Sequence, residues 1–328
     1  MQANEATIRW GIIGCGDVCE VKSGPAFNKV PNSTLHAVMR RDADLAADFA
    51  RRHGVPAYYT DARQLIADPD VNAIYVATPP ASHEEYALLA IAAGKPVYIE
   101  KPLSVDAPST RRILQAAQSS GVKASGAYYR RRLPLFEQVK EFIEQGRLGR
   151  IRHISIRLLL PAEQNGIAQT ASNWRIDPRY SGGGLFHDLA PHMLDILCWL
   201  FGEPLSCRGR ALNQAQAYAA PDFTSVEALF ADDIFFTGVW SFNAHSLSRE
   251  DTCTIYGDKG NLSFAFFARD PLRINTEAQQ ESIQFQTPQH IQQPMIHAVV
   301  RYFRGEAANP CSLSDALLSM DMMDSVEP

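Results

Sequence analysis

Three groups of residues in this chain have the types and spacing to do chemistry. The first is Glu100-Lys101-Pro102, which follows the apolar run Val97-Tyr98-Ile99. Such a run reads as the end of a buried strand, and Pro102 stops it because its nitrogen has no proton to give a ladder. Ligands of open parallel sheets bind beyond the carboxyl ends of the strands. A lysine placed there can relay a proton or clamp a developing negative charge. The plainer account is a surface lysine in a strand-to-helix turn. The second group is Asp188 and His192, which follow Ser181-Gly182-Gly183-Gly184. If Asp188 is already helical, the two residues are four apart on one face. Pro191 fits only a first helical turn, so the helix can instead begin near Leu189 with Asp188 as its cap. In both cases a carboxylate and an imidazole lie close together near a helix N-terminus. Such a pair can exchange a proton near neutrality and orient a hydroxyl. The plainer account is a capping aspartate followed by a core histidine. A metal held by His187, Asp188, His192 and Asp195 is disfavoured, since residues 187 and 188 point in different directions on a helix.

The third group is Gly14-Cys15-Gly16-Asp17-Val18-Cys19, directly after the strand-like Ile8–Ile13. Glycines at this strand-to-helix junction permit a tight turn and the close approach of a pyrophosphate, which is the signature of a dinucleotide site. Cys19 takes the place of the usual third glycine or alanine. Gly24-Pro25 should interrupt the helix that follows. The next strand, Leu35–Met39, ends in Arg40-Arg41-Asp42. An acidic residue here suits the ribose of NAD, and an arginine suits the 2′-phosphate of NADP. Arg40 and Arg41 come first, so NADP(H) is favoured over NAD(H), with Asp42 and Asp44 as the ribose-binding alternative.

The elements that must position these groups alternate strand and helix as far as residue 121. Leu45–His53 reads as a helix closed by Gly54. Pro56–Tyr59 is a short strand, and Asp61 caps the next helix. Val71–Ala77 is a buried strand leading into Thr78-Pro79-Pro80-Ala81-Ser82-His83, and the helices Glu84–Ala93 and Ser104–Ser120 flank the strand before Lys101. This is the pattern of a doubly wound, Rossmann-type parallel sheet. After Val122 a helix runs through Phe142. Long alternating strands then follow at Ile151–Leu160, Leu205–Gln216, Phe223–Ala231, Ile234–Phe242, Asp251–Tyr256 and Asn261–Phe267. The expected fold is therefore α/β: residues 1–124 form a dinucleotide-binding domain. Residues 125–328 form an α+β domain with a large, mostly antiparallel open sheet for substrate binding and oligomerisation. The last helix has the option of packing back on the first domain. One face of that sheet is free to pair, so a homodimer or homotetramer is expected.

The 328 residues fit two domains, and the hydrophobic content of 46% is ample for their cores. A formal charge of −5 lacks the basic footprint of a nucleic-acid binder. Residues Met1 to Glu5 carry neither the cationic nor the apolar region of a secretory leader, and no apolar run suits a bilayer. The cysteines at 15, 19, 198, 207, 253 and 311 show no paired spacing. A cytoplasmic protein with reduced thiols is the expectation.

Together, these ordered segments resemble the Gfo/Idh/MocA family of glucose–fructose oxidoreductase and inositol dehydrogenase relatives. The resemblance runs through Gly14 to Val18, Thr78 to His83, Glu100-Lys101-Pro102, Trp174-Arg175, and the triple glycine with Asp188 and His192. It implies hydride transfer between a nicotinamide and a carbonyl or secondary alcohol of a sugar, cyclitol or related polyol. It also implies that Lys101, Asp188 and His192 share one catalytic site between the domains. Thr78, Pro79, His83, Glu100, Trp174 and Arg175 would contact the cofactor together with Gly14, Cys15, Gly16, Asp17 and Val18. Lys101, Tyr128, Arg175, Asp188 and His192 are the substrate-side candidates, with Arg130 beside them. Whether Lys101 or His192 is the formal acid/base stays open. Ala127 departs from relatives that carry an asparagine near the cofactor. Three alternatives remain: a non-enzymatic NADP-binding regulator, a dehydrogenase of an aromatic diol, imine or tetrapyrrole, and redox-assisted hydrolysis of a glycosidic bond.

Overall fold

Strand and helix alternate through the first part of the chain: β1 (Ile8–Ile13), α1 (Asp17–Val21), β2 (Ser33–Met39), α2 (Ala43–His53), β3 (Ala57–Tyr59), α3 (Ala62–Ala67), β4 (Ala73–Val76), α4 (His83–Ala92), β5 (Val97–Ile99), α5 (Ala107–Ser120) and β6 (Ala124–Gly126). The computed structural model describes residues 7–161, 174–277 and 280–327. All six strands are parallel, in the order β3-β2-β1-β4-β5-β6. The order reverses between β1 and β4, and that reversal creates the crevice at which such sheets take a dinucleotide. Every residue of β4 and of β5 is buried, as expected of parallel strands covered on both faces. Asp42, Asp61 and Asp106 cap α2, α3 and α5 with their side chains. After α1 the chain breaks into a 3-10 turn at Gly24–Asn28, because Pro25 has no amide proton to continue the helix.

Contacts group residues up to Arg132 with residues 288–317 as one unit, and Leu133–Thr287 with the residues from Leu318 onward as a second. The returning stretch brings the helix Gln293–Phe303 to the first unit. Phe303 packs against Trp10 with the rings tilted and their centroids 5.5 Å apart, and the ammonium of Lys123 donates to the carbonyls of Tyr302 and Phe303, both at 2.8 Å. The turn at Tyr129–Arg132 belongs here because buried Arg131 pairs with Asp315 at 3.4 Å. In this grouping the break falls between Arg132 and Leu133.

The second unit contains α6 (Pro134–Glu144), β7 (Ile151–Pro161), α7 (Pro178–Ser181), α8 (Leu185–Phe201), β8 (Ser206–Leu212), β9 (Phe223–Phe230), β10 (Ile234–Ala244), β11 (Glu250–Gly257), β12 (Gly260–Phe264), β13 (Leu272–Thr276), β14 (Gln280–Ile283) and β15 (Val326–Glu327). Its nine strands run in the order β14-β13-β12-β11-β7-β10-β9-β8-β15, antiparallel except where β7 meets β10 and β8 meets β15. Burial alternates along β9, so one face of the sheet is core and the other is open. On the core face Trp240 meets Phe186 of α8 edge-on at 5.1 Å and donates its indole proton to the Met193 sulfur. The open face carries Phe235 and Tyr256, and Tyr256 stacks on His153 at 5.6 Å. Two strands end earlier than their sequence suggests, because a carboxylate gathers the amides that follow. Asp222 takes those of Gln214 and Ala215 after β8, and Asp251 takes those of Phe266, Phe267 and Ala268 after β12. Among the described residues no helix is long and apolar enough to cross a membrane.

Candidate active site

In the first unit the residues singled out by sequence gather along the carboxyl ends of β1, β2, β4 and β5. The amides of Gly14 and Cys15 both donate to the Met39 carbonyl, at 2.9 and 3.2 Å, which turns the chain sharply after β1. Gly14 has φ +91°, and a Cβ there would sit 2.6 Å from the Thr78 methyl, so only glycine lets the β1 and β4 turns close on each other. At Gly16 the opposite holds: an added Cβ meets nothing within 4 Å. That open space over the loop is the room a pyrophosphate needs, and the glycine loop therefore fits a dinucleotide. Cys15 is buried, and burial pushes its thiol up to about 11, with Arg40 opposing the shift. Arg40 reaches back to the Cys15 carbonyl at 3.5 Å, so its guanidinium lies beside the loop. Arg41 is exposed. The Asp42 carboxylate accepts from the Leu45 amide at 3.0 Å, a helix-capping role.

The turn after β4 is tied to the turn after β5 by His83. Its ring is wholly buried, with Nδ1 at 2.9 Å from the Pro102 carbonyl and Nε2 at 2.7 Å from the Thr78 carbonyl. Burial holds its pKa below the ordinary 6.5, the two carbonyls opposing. Thr78 and Pro79 are half-buried, and Tyr128 is buried inside this unit. Lys101 is half-buried, and its peptide bond to Pro102 is cis. The Glu100 carboxylate lies beneath it, only 5% exposed. It accepts the hydroxyl of Tyr75, the side-chain amide of Gln292 at 2.6 Å, and, through Oε2, the backbone amide of Lys101 at 3.1 Å.

The second unit positions the other pair. Helix α8 begins at Leu185 with Gly184 as its cap, and the Asp188 amide already donates to the Gly184 carbonyl at 3.2 Å. Asp188 and His192 therefore share a helical face. Pro191 consequently lies inside the helix, not in its first turn. It removes the bond to the His187 carbonyl, a loss of about 3 kcal/mol. Leu185, Phe186, Met193, Leu194 and Leu197 are buried along the same helix, each contributing about 2 kcal/mol, so packing wins. The triple glycine serves local packing. A Cβ at Gly183 would collide with the His187 ring, and one at Gly184, where φ is +78°, would lie 2.5 Å from the Ala220 methyl.

Asp188 pairs with the Arg175 Nε at 3.3 Å, and that guanidinium lies over the Trp174 ring at 4.6 Å. Its Nη1 is buried with no hydrogen-bond partner among the described residues. His192 is 4% exposed, with its ring edge-on to Phe267 at 5.9 Å. Phe267 is in turn fixed by the Asp251 carboxylate, a support that sequence reading did not identify. His187 is driven down to about 4 by burial, so it is neutral at ordinary pH. Among the described residues, the metal-type ligand atoms that cluster are those of His36, Asp68 and Asp70, not those of residues 187–195. The Asp68 carboxylate there is already taken by the Tyr59 hydroxyl and the Asp70 amide.

This architecture is shared. Residues 8–128 match the family model described as "Oxidoreductase family, NAD-binding Rossmann fold", and residues 136–263 match the "GFO/IDH/MocA C-terminal domain". Oxidoreductase P35 of Formosa agariphila is 43% identical over 320 residues, 98% of each chain. A levoglucosan dehydrogenase of Pseudarthrobacter phenanthrenivorans is 28% identical over 260 residues, 72% of this chain and 66% of that one. The fold also superposes on a solved levoglucosan dehydrogenase in complex with NADH and levoglucosan, with a TM-score of 0.85 at 22% identity over 97% of this chain and 95% of that one. Two family models in the right order and a relative this similar end to end carry the assignment: the chain belongs to the Gfo/Idh/MocA family of NAD-binding oxidoreductases.

Proposed function

We propose that the chain oxidises a secondary alcohol, or reduces the matching carbonyl, of a sugar, cyclitol or related polyol. The observation that carries this reading is the seating of Lys101 at the carboxyl end of β5, on the same sheet edge as a glycine loop with room for a pyrophosphate. When bound, the nicotinamide cofactor supplies the hydride acceptor or donor. Gly14 to Val18 would hold its pyrophosphate, with Thr78, Pro79, Trp174 and Arg175 as further contacts. Arg40 and Arg41 favour the 2′-phosphate of NADP(H), because the nearest acid, Asp42, is committed to capping α2.

In the oxidative direction the His192 imidazole takes the proton of the reacting hydroxyl. The Lys101 ammonium stabilises the negative charge growing on that oxygen, a contribution of about 3 kcal/mol in a site of this kind. Asp188 accepts from a neighbouring substrate hydroxyl, and Arg175 holds the carboxylate in place. In the reductive direction the same groups return the proton. The open sheet face with Phe235, His153 and Tyr256 is the surface through which a second copy of the chain would associate. The test is a spectrophotometric screen of NADPH and NADH against keto-sugars, aldoses and inositols. Turnover with a polyol or its carbonyl is expected, faster with the phosphorylated cofactor. Cofactor binding without any such turnover would overturn the reading.

A further inference from the structure

Glu100 poses a physical problem. A carboxylate 5% exposed loses several kcal/mol of hydration unless donors surround it. Three do: the Tyr75 hydroxyl and the Gln292 side-chain amide on Oε1, and the Lys101 backbone amide on Oε2. Gln292 is itself wholly buried. It lies in a short stretch of the returning chain that is sewn to the far end of the glycine-loop helix. The Gln292 amide donates to the Lys22 carbonyl at 3.3 Å. Two residues earlier, His290 Nδ1 lies 2.7 Å from the Val21 carbonyl, and Nε2 lies 2.6 Å from the Lys29 ammonium. Ser23 completes the circuit, with its hydroxyl 3.3 Å from that of Tyr75.

We propose that Gln292, with Tyr75, is a positioning residue for Lys101: by holding the Glu100 carboxylate it fixes the Lys101 backbone and ties that loop to the end of the glycine-loop helix. The proposal rests on the assignment of Lys101 to the reacting oxygen. Residues 290–292 thereby act as a strap within the first unit, joining the loop that would cradle the pyrophosphate to the one that carries the amine. Misplacement of a reacting group by about 1 Å is enough to lower a rate on the order of a hundredfold.

Two measurements test this, and the first needs no substrate. Residue-resolved hydrogen exchange should show the Lys101 amide protected in the wild type and exchanging at least about tenfold faster in Gln292→Leu, with a smaller rise in Tyr75→Phe. Equal exchange in wild type and both folded variants overturns the proposal. The second measurement is the pH profile of turnover. Gln292→Leu should lower kcat roughly tenfold to a hundredfold at every pH, with KM for the cofactor changed less. Gln292→Glu sets two carboxyls side by side, which raises the pKa of one of them. Its protonated form can donate to Glu100 as the amide does, so activity should recover at low pH and fall as the pH rises. The described titratable groups that feel Glu100 do not mimic this: burial pushes Tyr75, Tyr98 and Cys19 up and His83 down. A Gln292→Glu profile parallel to the wild type overturns the proposal. A wild type with no nicotinamide-linked turnover on any polyol sinks the functional reading instead, and the exchange measurement still decides the strap.

Discussion

The reaction proposed above would draw on the Lys101 loop and on the Asp188–His192 face of α8, and different forces hold the two. The Lys101 loop rests on a buried polar network: Glu100 is clasped by two side chains from distant parts of the chain, and His83 bridges two turns through its ring nitrogens. The helical face lies on a helix packed through its apolar side chains, and Asp188 there pairs with Arg175. A buried network fails sharply when one member is lost, because the remaining groups stay desolvated. Packing of a long helix degrades gradually. The Lys101 backbone is therefore held by specific partners, and α8 by the burial of its apolar side chains.

Removing each reacting group should give the largest effect. Lys101→Ala is expected to lower turnover on the order of a thousandfold while cofactor affinity stays nearly unchanged. His192→Asn should cost about a hundredfold and flatten the acidic limb of the oxidative pH–rate profile. Near-normal turnover in either variant, measured by steady-state kinetics, would remove that group from the reaction. An intermediate effect is expected at the ribose end. Arg40→Ala with Arg41→Ala should weaken NADP(H) by roughly tenfold or more and NAD(H) hardly at all; equal losses in a binding titration would end the phosphate assignment.

The smallest effect sharpens the contrast on the packing side. Burial lowers His187 from 6.5 to about 4 in the folded chain. The unfolded chain therefore takes up that proton first, so the stability from neutral His187 is complete above 6.5 and is lost as the pH falls towards 4. His187→Phe should flatten this part of the Tm-against-pH curve by roughly a few degrees. An unchanged slope would show that the ring is solvated.

Local pattern made much of this legible. The β1 strand, its glycine turn, the aspartate cap of α3, and the alternation of strand and helix all follow from residues within a few positions of one another, whereas the caps Asp42 and Asp106 were not read as such. Sequence misjudged Pro191 because backbone rules were applied without knowing how deeply α8 is buried. What the motif did not reveal is that the Glu100 carboxylate is engaged by partners 25 and 192 residues away. Tyr75 was the available clue, since a tyrosine in an otherwise apolar buried strand needs somewhere to send its hydroxyl. Gln292 gave no comparable signal, because nothing nearby marks a glutamine as interior.

The cap on α2 has a consequence for how this chain could change its cofactor. Asp42 is the residue a protein engineer would first recruit to grip a ribose, yet its oxygen already secures the Leu45 amide. Redirecting it would loosen the first turn of α2 by about 1 kcal/mol. If the proposed NADP(H) preference holds, a change to the unphosphorylated cofactor would be steered away from that position and onto exposed Arg41, whose exchange spares the cap.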